Sequence, residues 1–307
     1  MIDKAIAREI GAGIEGEVLL SEPMYRHTTY RTGGEAEIMV VAENGDDSCR
    51  AYQFARKNDI PLTVIGAGSN VIAPDAGIEG IVLKTRSENA RIDWRDDGKV
   101  KTDGGVYLDT LIRKSAQRNI GGFEHITGIP GTVGGAIFMN AGTKGGEICE
   151  LIDSAEAVSE DGRLLVLRPE DMRMGYRTSI IQENGWLLVN AVFNVIDVNG
   201  EETSRKIESV WKERSILYPM DMPSAGSVFR NPEGSHAGYL IEQTGLRGME
   251  IGGARVSEKH GNFIINTGNA TSADIIELIE MIREKIFETH GIRLMLEQRI
   301  LPVCPRV

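Results

Sequence analysis

The chain is poor in cysteine. Cys49, Cys149 and Cys304 are odd in number and far apart, which excludes a disulfide framework or a cysteine zinc site and fits thiols in a reducing compartment. Positive charge is also short. Lys and Arg number 34 against 45 Asp and Glu, a net charge of −11 with no basic tract. Such a surface repels a polyanion, so no nucleic-acid partner is expected. Any bound anion must be met by local arginines and backbone amides. Long apolar runs are missing too. None approaches the ~20 residues that span a bilayer, so no membrane partner is expected. Residues 1–25 interleave Asp3, Lys4, Arg8, Glu9, Glu15 and Glu17 with apolar positions and hold no signal-peptide core. His27, His125, His236, His260 and His290 show no metal-ligand spacing, so no metal is expected, and neither a Walker A sequence nor a recognisable Ser/His/Asp motif occurs. A cytoplasmic location is expected. The oligomeric state is not legible.

What the chain has is glycine, gathered in two places: Ile65-Gly66-Ala67-Gly68-Ser69-Asn70-Val71 and Gly128-Ile129-Pro130-Gly131-Thr132-Val133-Gly134-Gly135-Ala136. Glycine takes positive φ and has no Cβ to hold a ligand off. Exposed N–H groups in such turns form concavities suited to phosphate oxygens. The first loop begins like G-x-G-x-x-G but carries Val71 at the sixth position, and Pro74 and Gly77 prevent a helix from following at once. It therefore fails as a dinucleotide fingerprint, and by itself fits a tight turn. The second could equally be a small-residue segment packed on a sheet. Together they point to one large phosphorylated cofactor held from two sides.

At 307 residues the chain exceeds the roughly 100–200 typical of one domain, so two or three compact parts are expected. Residues 37–42 read as a strand, 47–58 as a helix and 61–65 as a strand running into the first glycine loop. Further strands are expected at 78–84, 100–103, 155–159, 164–167 and 186–195. Residues 107–118 form an amphipathic helix stopped by Gly121-Gly122, and 207–214 a short one ahead of Tyr218-Pro219. The plainest helix follows a capping box of Thr271 and Asp274. Ile275, Leu278, Ile279, Ile282 and Ile286 form its apolar stripe, and Gly291 ends it. Residues 292–301 read as an alternating strand with Ile292, Leu294, Leu296 and Ile300 on one face. Glu297 and Arg299 lie on the other.

Three further polar segments could carry chemistry: Gly175-Tyr176-Arg177-Thr178-Ser179, Gly226-Ser227-Val228-Phe229-Arg230-Asn231-Pro232, and the pair Glu297 and Arg299. Taken singly they fit an ion pair, a loop-satisfying hydroxyl and a surface strand pair.

In their order along nearly the whole chain, these segments resemble the UDP-N-acetylenolpyruvoylglucosamine reductase family. The resemblance begins at Thr28-Thr29-Tyr30-Arg31-Thr32-Gly33-Gly34 and takes in both glycine loops, Tyr176-Arg177 and the Ser227 segment. It continues through Gly252-Gly253-Ala254-Arg255-Val256-Ser257-Glu258-Lys259-His260 and Asn262-Phe263-Ile264-Ile265-Asn266-Thr267-Gly268 to Glu297-Gln298-Arg299-Ile300. It implies an α+β fold, in which a two-part FAD-binding domain of the vanillyl-alcohol-oxidase (PCMH) type is joined by a smaller α+β substrate-binding domain. The parts implied are 1–80 with 291–307, 81–216, and 217–290. It also implies a flavoenzyme of peptidoglycan-precursor synthesis, with bound FAD and NADPH as co-substrate, that reduces the enolpyruvyl ether of a UDP-sugar to UDP-N-acetylmuramate.

Carried over by position, the resemblance makes Ser227 the proton donor and Arg177 and Glu297 the other catalytic groups. Tyr176, Arg230, Asn231 and Arg299 match substrate-binding positions. Gly66, Gly68, Ser69, Asn70 and Val71, with Gly128, Ile129, Gly131, Thr132, Gly134 and Gly135, match cofactor-binding ones. An ionised Glu297 would repel an enolate, so a raised pKa or a compensating arginine such as Arg299 is expected. The chain departs from the family pattern in three ways. Arg230 replaces a frequent Lys. Gln298, expected to face away from Glu297, stands in a usual Pro-Glu-Val-Arg ending. The short spacing from Arg177 to Ser227 resembles the subtype lacking an extra substrate-capping tyrosine loop.

Overall fold

A computed structural model describes residues 4–302. Cys304 and the ends of the expected first part, 1–3 and 303–307, lie outside the described residues. The N-terminal sheet has the strand order Glu17–Pro23, Glu35–Val41, Ile78–Lys84, Leu62–Ile65. Its last three strands run parallel, and Glu17–Pro23 is an antiparallel edge. Helix α1 (Lys4–Gly11) and helix α2 (Gly45–Lys57) cover one face. There Ile38, Val40, Ile81 and Leu83 pack on Ala51, Tyr52 and Ala55. The other face buries Met24, Met39, Ile65, Val82 and Leu301. Burial on both faces is why these strands read as apolar runs rather than alternating ones. The Asn44 side chain accepts from the Asp47 N–H and so starts α2 two residues before the expected position.

The second sheet is antiparallel, in the order Leu164–Leu167, Ile152–Val158, Leu187–Asn194, Lys99–Asp103, Ile92–Trp94. Its core includes helix α3 (Leu108–Ala116), helix α4 (Val133–Phe138) and helix α5 (Ile180–Asn184). Helix α6 (Gly200–Leu217) is much longer than the expected 207–214. Its first turn holds Gly200, Glu201 and Glu202 and so hides the apolar period. The Asn199 side chain, accepting from the Glu202 N–H, begins it instead.

Past Tyr218, a three-stranded antiparallel sheet (Glu250–Ile251, Ala254–Val256, Ile264–Asn266) packs with helix α7 (Ala237–Gln243) and helix α8 (Ser272–His290). The Thr271–Asp274 capping box and the left-handed Gly291 bound α8 as the sequence indicates.

The closing segment departs from expectation. It is not one strand over 292–301, because its partners change along its length. Leu296 bridges Phe229, and the Arg230 N–H donates to the Met295 carbonyl at 2.9 Å. Only Arg299–Ile300 is strand, and it runs parallel to Val71–Ile72. The alternation slips at this hand-over: Leu294 and Gln298 are buried, but Ile300 is exposed and Leu301 takes the inward place. The segment thereby ties the Ser227 region to the first glycine loop.

Candidate active site

The two glycine loops touch. The Ser69 hydroxyl donates to the Pro130 carbonyl at 2.9 Å. A Cβ on Gly66 would stand 2.4 Å from Thr132 Oγ1, and one on Gly68 (φ +67°) 2.0 Å from the His27 carbonyl oxygen. These glycines are thus required by the loops' own packing, which differs from the expectation of bare backbone kept clear for a ligand. What is open is the row of donors. Among the described residues, the N–H groups of Gly66, Ala67, Gly68, Ser69 and Asn70 donate to no protein acceptor. Backbone donors at a partly buried site rarely go without an acceptor. A run of them suits an anionic oxygen supplied from outside the chain.

Both loops line one cavity of about 1480 Å³. That exceeds the ≈ 300–1,000 Å³ of an ordinary small-ligand pocket and leaves room for a dinucleotide together with a second ligand. Every expected cofactor-binding residue lines it: Gly66, Gly68, Ser69, Asn70, Val71, Gly128, Ile129, Gly131, Thr132, Gly134 and Gly135. So do Tyr176, Arg177, Ser227, Asn231, Glu297 and Arg299. The donor set and the cavity size fit a pyrophosphate-bearing cofactor.

Arg177 is held by its own turn. Gly175 and Thr178 exchange both backbone hydrogen bonds at 3.1 Å, which forces Arg177 to φ +60°. That left-handed conformation is costly for a residue with a side chain. Its guanidinium donates from Nε to Glu297 Oε1 at 3.0 Å, from Nη1 to the Asn140 carbonyl at 3.3 Å and from Nη2 to the Gly142 carbonyl at 3.4 Å. The Tyr176 ring lies 5.0 Å beneath it. Asn140 is fully buried at φ +42°, and its amide donates to Glu147 Oε2 and to the Gly175 carbonyl. It fixes the carbonyl that Arg177 uses, and nothing in the sequence marks it beyond its place after the second glycine loop.

Burial raises the Glu297 pKa above its ordinary value, although Arg177 and Arg230 act to lower it. Of these, Arg177 also hydrogen-bonds the carboxylate, and the Arg299 guanidinium lies 5.8 Å from the Phe138 ring. Arg230 differs from expectation: it does not line the cavity. It turns behind Arg177 and donates from Nη2 to the Arg177 carbonyl at 3.3 Å. Asn231 lines the cavity, but its Oδ1 accepts from the Ala237 N–H and so helps start α7.

The Ser227 segment is clamped through its backbone. The Val228 N–H donates to the Asn262 carbonyl and its carbonyl accepts from the Glu297 N–H at 2.8 Å. Gln298 faces away from Glu297 and is buried. Its amide donates to the carbonyls of Ala225 and Gly226, and its Oε1 accepts from the Tyr30 hydroxyl at 3.1 Å. Gln298 thus fixes the main chain that presents Ser227. Asn70 completes the connection, because its amide donates to the Glu297 carbonyl and its own carbonyl accepts from the Arg299 N–H.

Comparison with known proteins gives two family matches along the chain. Residues 36–168 match the family model of an FAD binding domain. Residues 218–301 match that of the UDP-N-acetylenolpyruvoylglucosamine reductase C-terminal domain. A UDP-N-acetylenolpyruvoylglucosamine reductase of Lachnoclostridium phytofermentans is 40% identical over 92% of this chain and 93% of its own length. One of Caldanaerobacter subterraneus is 40% identical over 94% of each. The crystal structure of the reductase from Thermus caldophilus superposes with a TM-score of 0.79 at 31% identity, over 94% of this chain and 100% of that one. An alkyldihydroxyacetonephosphate synthase, at 16% identity and a TM-score of 0.51 over 64% of this chain and 41% of its own, shares the fold. The expected α+β architecture with its FAD-binding part is borne out.

Proposed function

The chain belongs to the UDP-N-acetylenolpyruvoylglucosamine reductase family, and from that membership we propose that Ser227, Arg177 and Glu297 carry its reaction in the cavity described above. The enzyme is an FAD-dependent oxidoreductase of peptidoglycan synthesis with NADPH as co-substrate. The cofactor supplies the hydride that adds to the CH₂ terminus of the enolpyruvyl ether. Negative charge then develops on the substrate's carboxylate side, and a proton must reach the adjacent carbon.

In this reading Arg177 receives that charge. A guanidinium has five N–H donors. Three are held by Glu297, Asn140 and Gly142, which leaves one on each terminal nitrogen for a planar carboxylate. Glu297, kept protonated more readily by burial, can donate to the same oxygens without repelling them. Ser227 delivers the proton. Asn231, Tyr176 and Arg299 on the cavity wall contact the sugar nucleotide, and Arg230 acts through Arg177. The parts 1–80 with 291–307, 81–216 and 217–290 serve as two cofactor-holding lobes and a substrate-binding cap. A cytoplasmic enzyme acting on a small-molecule UDP-sugar completes the proposal. Among the described residues no helix is long and apolar enough to cross a membrane.

The observation that carries the reading is that one cavity holds the unpaired amides of the first glycine loop together with a hydroxyl, a guanidinium and a carboxyl from three distant segments. It is tested by reducing the purified protein with NADPH under anaerobic conditions and then adding UDP-N-acetylglucosamine enolpyruvate. The yellow colour should bleach and then return. A protein that purifies colourless, or a bleached flavin that the sugar does not reoxidise, rejects it.

The Glu297 shift gives a pH prediction. Its carboxyl keeps a proton above the ordinary value of 4.5, so the protonated form gains on folding. That stability is present below pH 4.5 and is lost as pH rises through the raised value. If the neutral carboxyl is the working form, the sugar half-reaction is fastest at low pH and declines through the same range. Glu297→Gln, which cannot ionise, should lose that limb. Stopped-flow rates across pH for both proteins make the comparison, and an unchanged limb in the variant assigns it to another group.

A further inference from the structure

Arg214 is a half-buried cation whose guanidinium, among the described residues, forms no hydrogen bond or ion pair. Helix α6 brings it to the cavity edge, where it lies flat on the second glycine loop. A Cβ on Gly128 (φ +79°) would stand 2.3 Å from Arg214 Cδ and 2.6 Å from its Nε. The guanidinium carbon sits 4.8 Å over the Tyr218 ring. Among the described residues no carboxylate pairs with it and no acceptor takes its donors, and Nε is buried without a partner. Arg113, Arg177 and Arg247, by contrast, each face a carboxylate. Thr127, next to Gly128, repeats the pattern: its hydroxyl oxygen is buried and unpartnered. Both side chains line the cavity. The guanidinium's Nε is thus shielded without a partner, which is unfavourable, whereas its terminal nitrogens stay open at the cavity edge. Its planar donor fork matches phosphate oxygens, so an arriving phosphate anion would compensate it.

We propose that Arg214 and the Thr127 hydroxyl bind a pyrophosphate diester against the second glycine loop. This rests on the functional reading above, in which two such diesters enter the cavity, FAD and the UDP-sugar. The contact with Gly128 favours FAD.

The test uses the holoenzyme and the variants Arg214→Met, which keeps the apolar stem over Gly128 and Tyr218, Arg214→Lys and Thr127→Val. FAD retention is measured by the fluorescence of flavin released on dilution. UDP binding is followed by the change in absorbance of the bound flavin. Loss of a charge-assisted pair predicts about 10- to 100-fold weaker FAD binding in Arg214→Met, partial recovery in Arg214→Lys, and a smaller loss in Thr127→Val. Free riboflavin, which has no pyrophosphate, should be affected less than twofold.

Weakened FAD with unchanged UDP assigns the site to the cofactor. Weakened UDP with FAD retained assigns it to the sugar nucleotide. FAD and UDP both within twofold of wild type overturn the proposal. So does an Arg214→Met protein whose flavin-free form melts below wild type and binds riboflavin as poorly as FAD, because Arg214 would then be a structural prop. The wild-type titrations separate this from the underlying reading: a wild-type protein that holds no flavin or ignores UDP fails that reading whatever Arg214 does.

Discussion

Ser227→Ala should slow reoxidation of the reduced enzyme by UDP-N-acetylglucosamine enolpyruvate by about 10²- to 10⁴-fold, the range a positioned proton donor commonly contributes. Bleaching by NADPH should stay within twofold of wild type. The separation follows from how the segment is held. Its main chain is fixed by the Val228 bonds to Asn262 and Glu297 and by the Gln298 amide on Ala225 and Gly226. None of these involves the Ser227 side chain. Among the described residues its hydroxyl makes no hydrogen bond to the protein, so alanine leaves the fold intact and removes only a proton source facing the cavity. A serine is a feeble acid near neutrality. In the proposed reaction it can act because the carbon it would protonate has become strongly basic and because Arg177 and Glu297, which line the same cavity, would moderate the charge. Stopped-flow traces of the two half-reactions decide the matter. An equal fall in both would make Ser227 a structural residue.

Legibility in the sequence followed the range of the interactions. Helix α8 could be read because its signals are local: a capping box at Thr271 and Asp274, an apolar stripe and a glycine stop. The glycine loops were legible as a site, but the stated reason was incomplete. Gly66 and Gly68 are glycines because Thr132 and the His27 carbonyl occupy the space a Cβ would need, while the ligand-facing feature is the unpaired N–H row. Residues 292–301 misled because alternation records which side is buried, not which neighbour does the burying. That neighbour changes between Leu296 and Arg299. Asn140 and Arg214 carried no signal, and Gln298 was legible only as facing away from Glu297. Asn140 is defined by Glu147 and Gly175, Arg214 by Gly128, and Gln298 by Tyr30 and Ala225. Four of these five contacts cross at least 35 residues of chain. No window of sequence distinguishes such an arginine from the solvated ones on the same helix.

Arg177→Lys should lower the sugar half-reaction by about 10²- to 10³-fold despite the retained charge, the range set by removing one oriented donor to a developing oxyanion. An ammonium is a point charge with three rotatable donors and cannot reproduce a planar fork. Here that fork does two jobs at once. It joins Glu297, the Asn140 carbonyl and the Gly142 carbonyl and still directs two N–H groups outward. A lysine amine that reached Glu297 would leave the other two carbonyls short of a donor. One that turned toward the substrate would abandon Glu297, whose burial then favours its neutral form more strongly and whose orientation is no longer set. FAD retention should not change, because the expected cofactor contacts lie on the two glycine loops. Because Arg177 and Glu297 hold each other, Arg177→Lys with Glu297→Gln should cost much less than the product of the single losses. Rates from the four proteins of that cycle test the coupling. Near-normal turnover in Arg177→Lys, or losses that simply multiply, would show that the guanidinium–carboxyl pair does not act as a unit on the substrate.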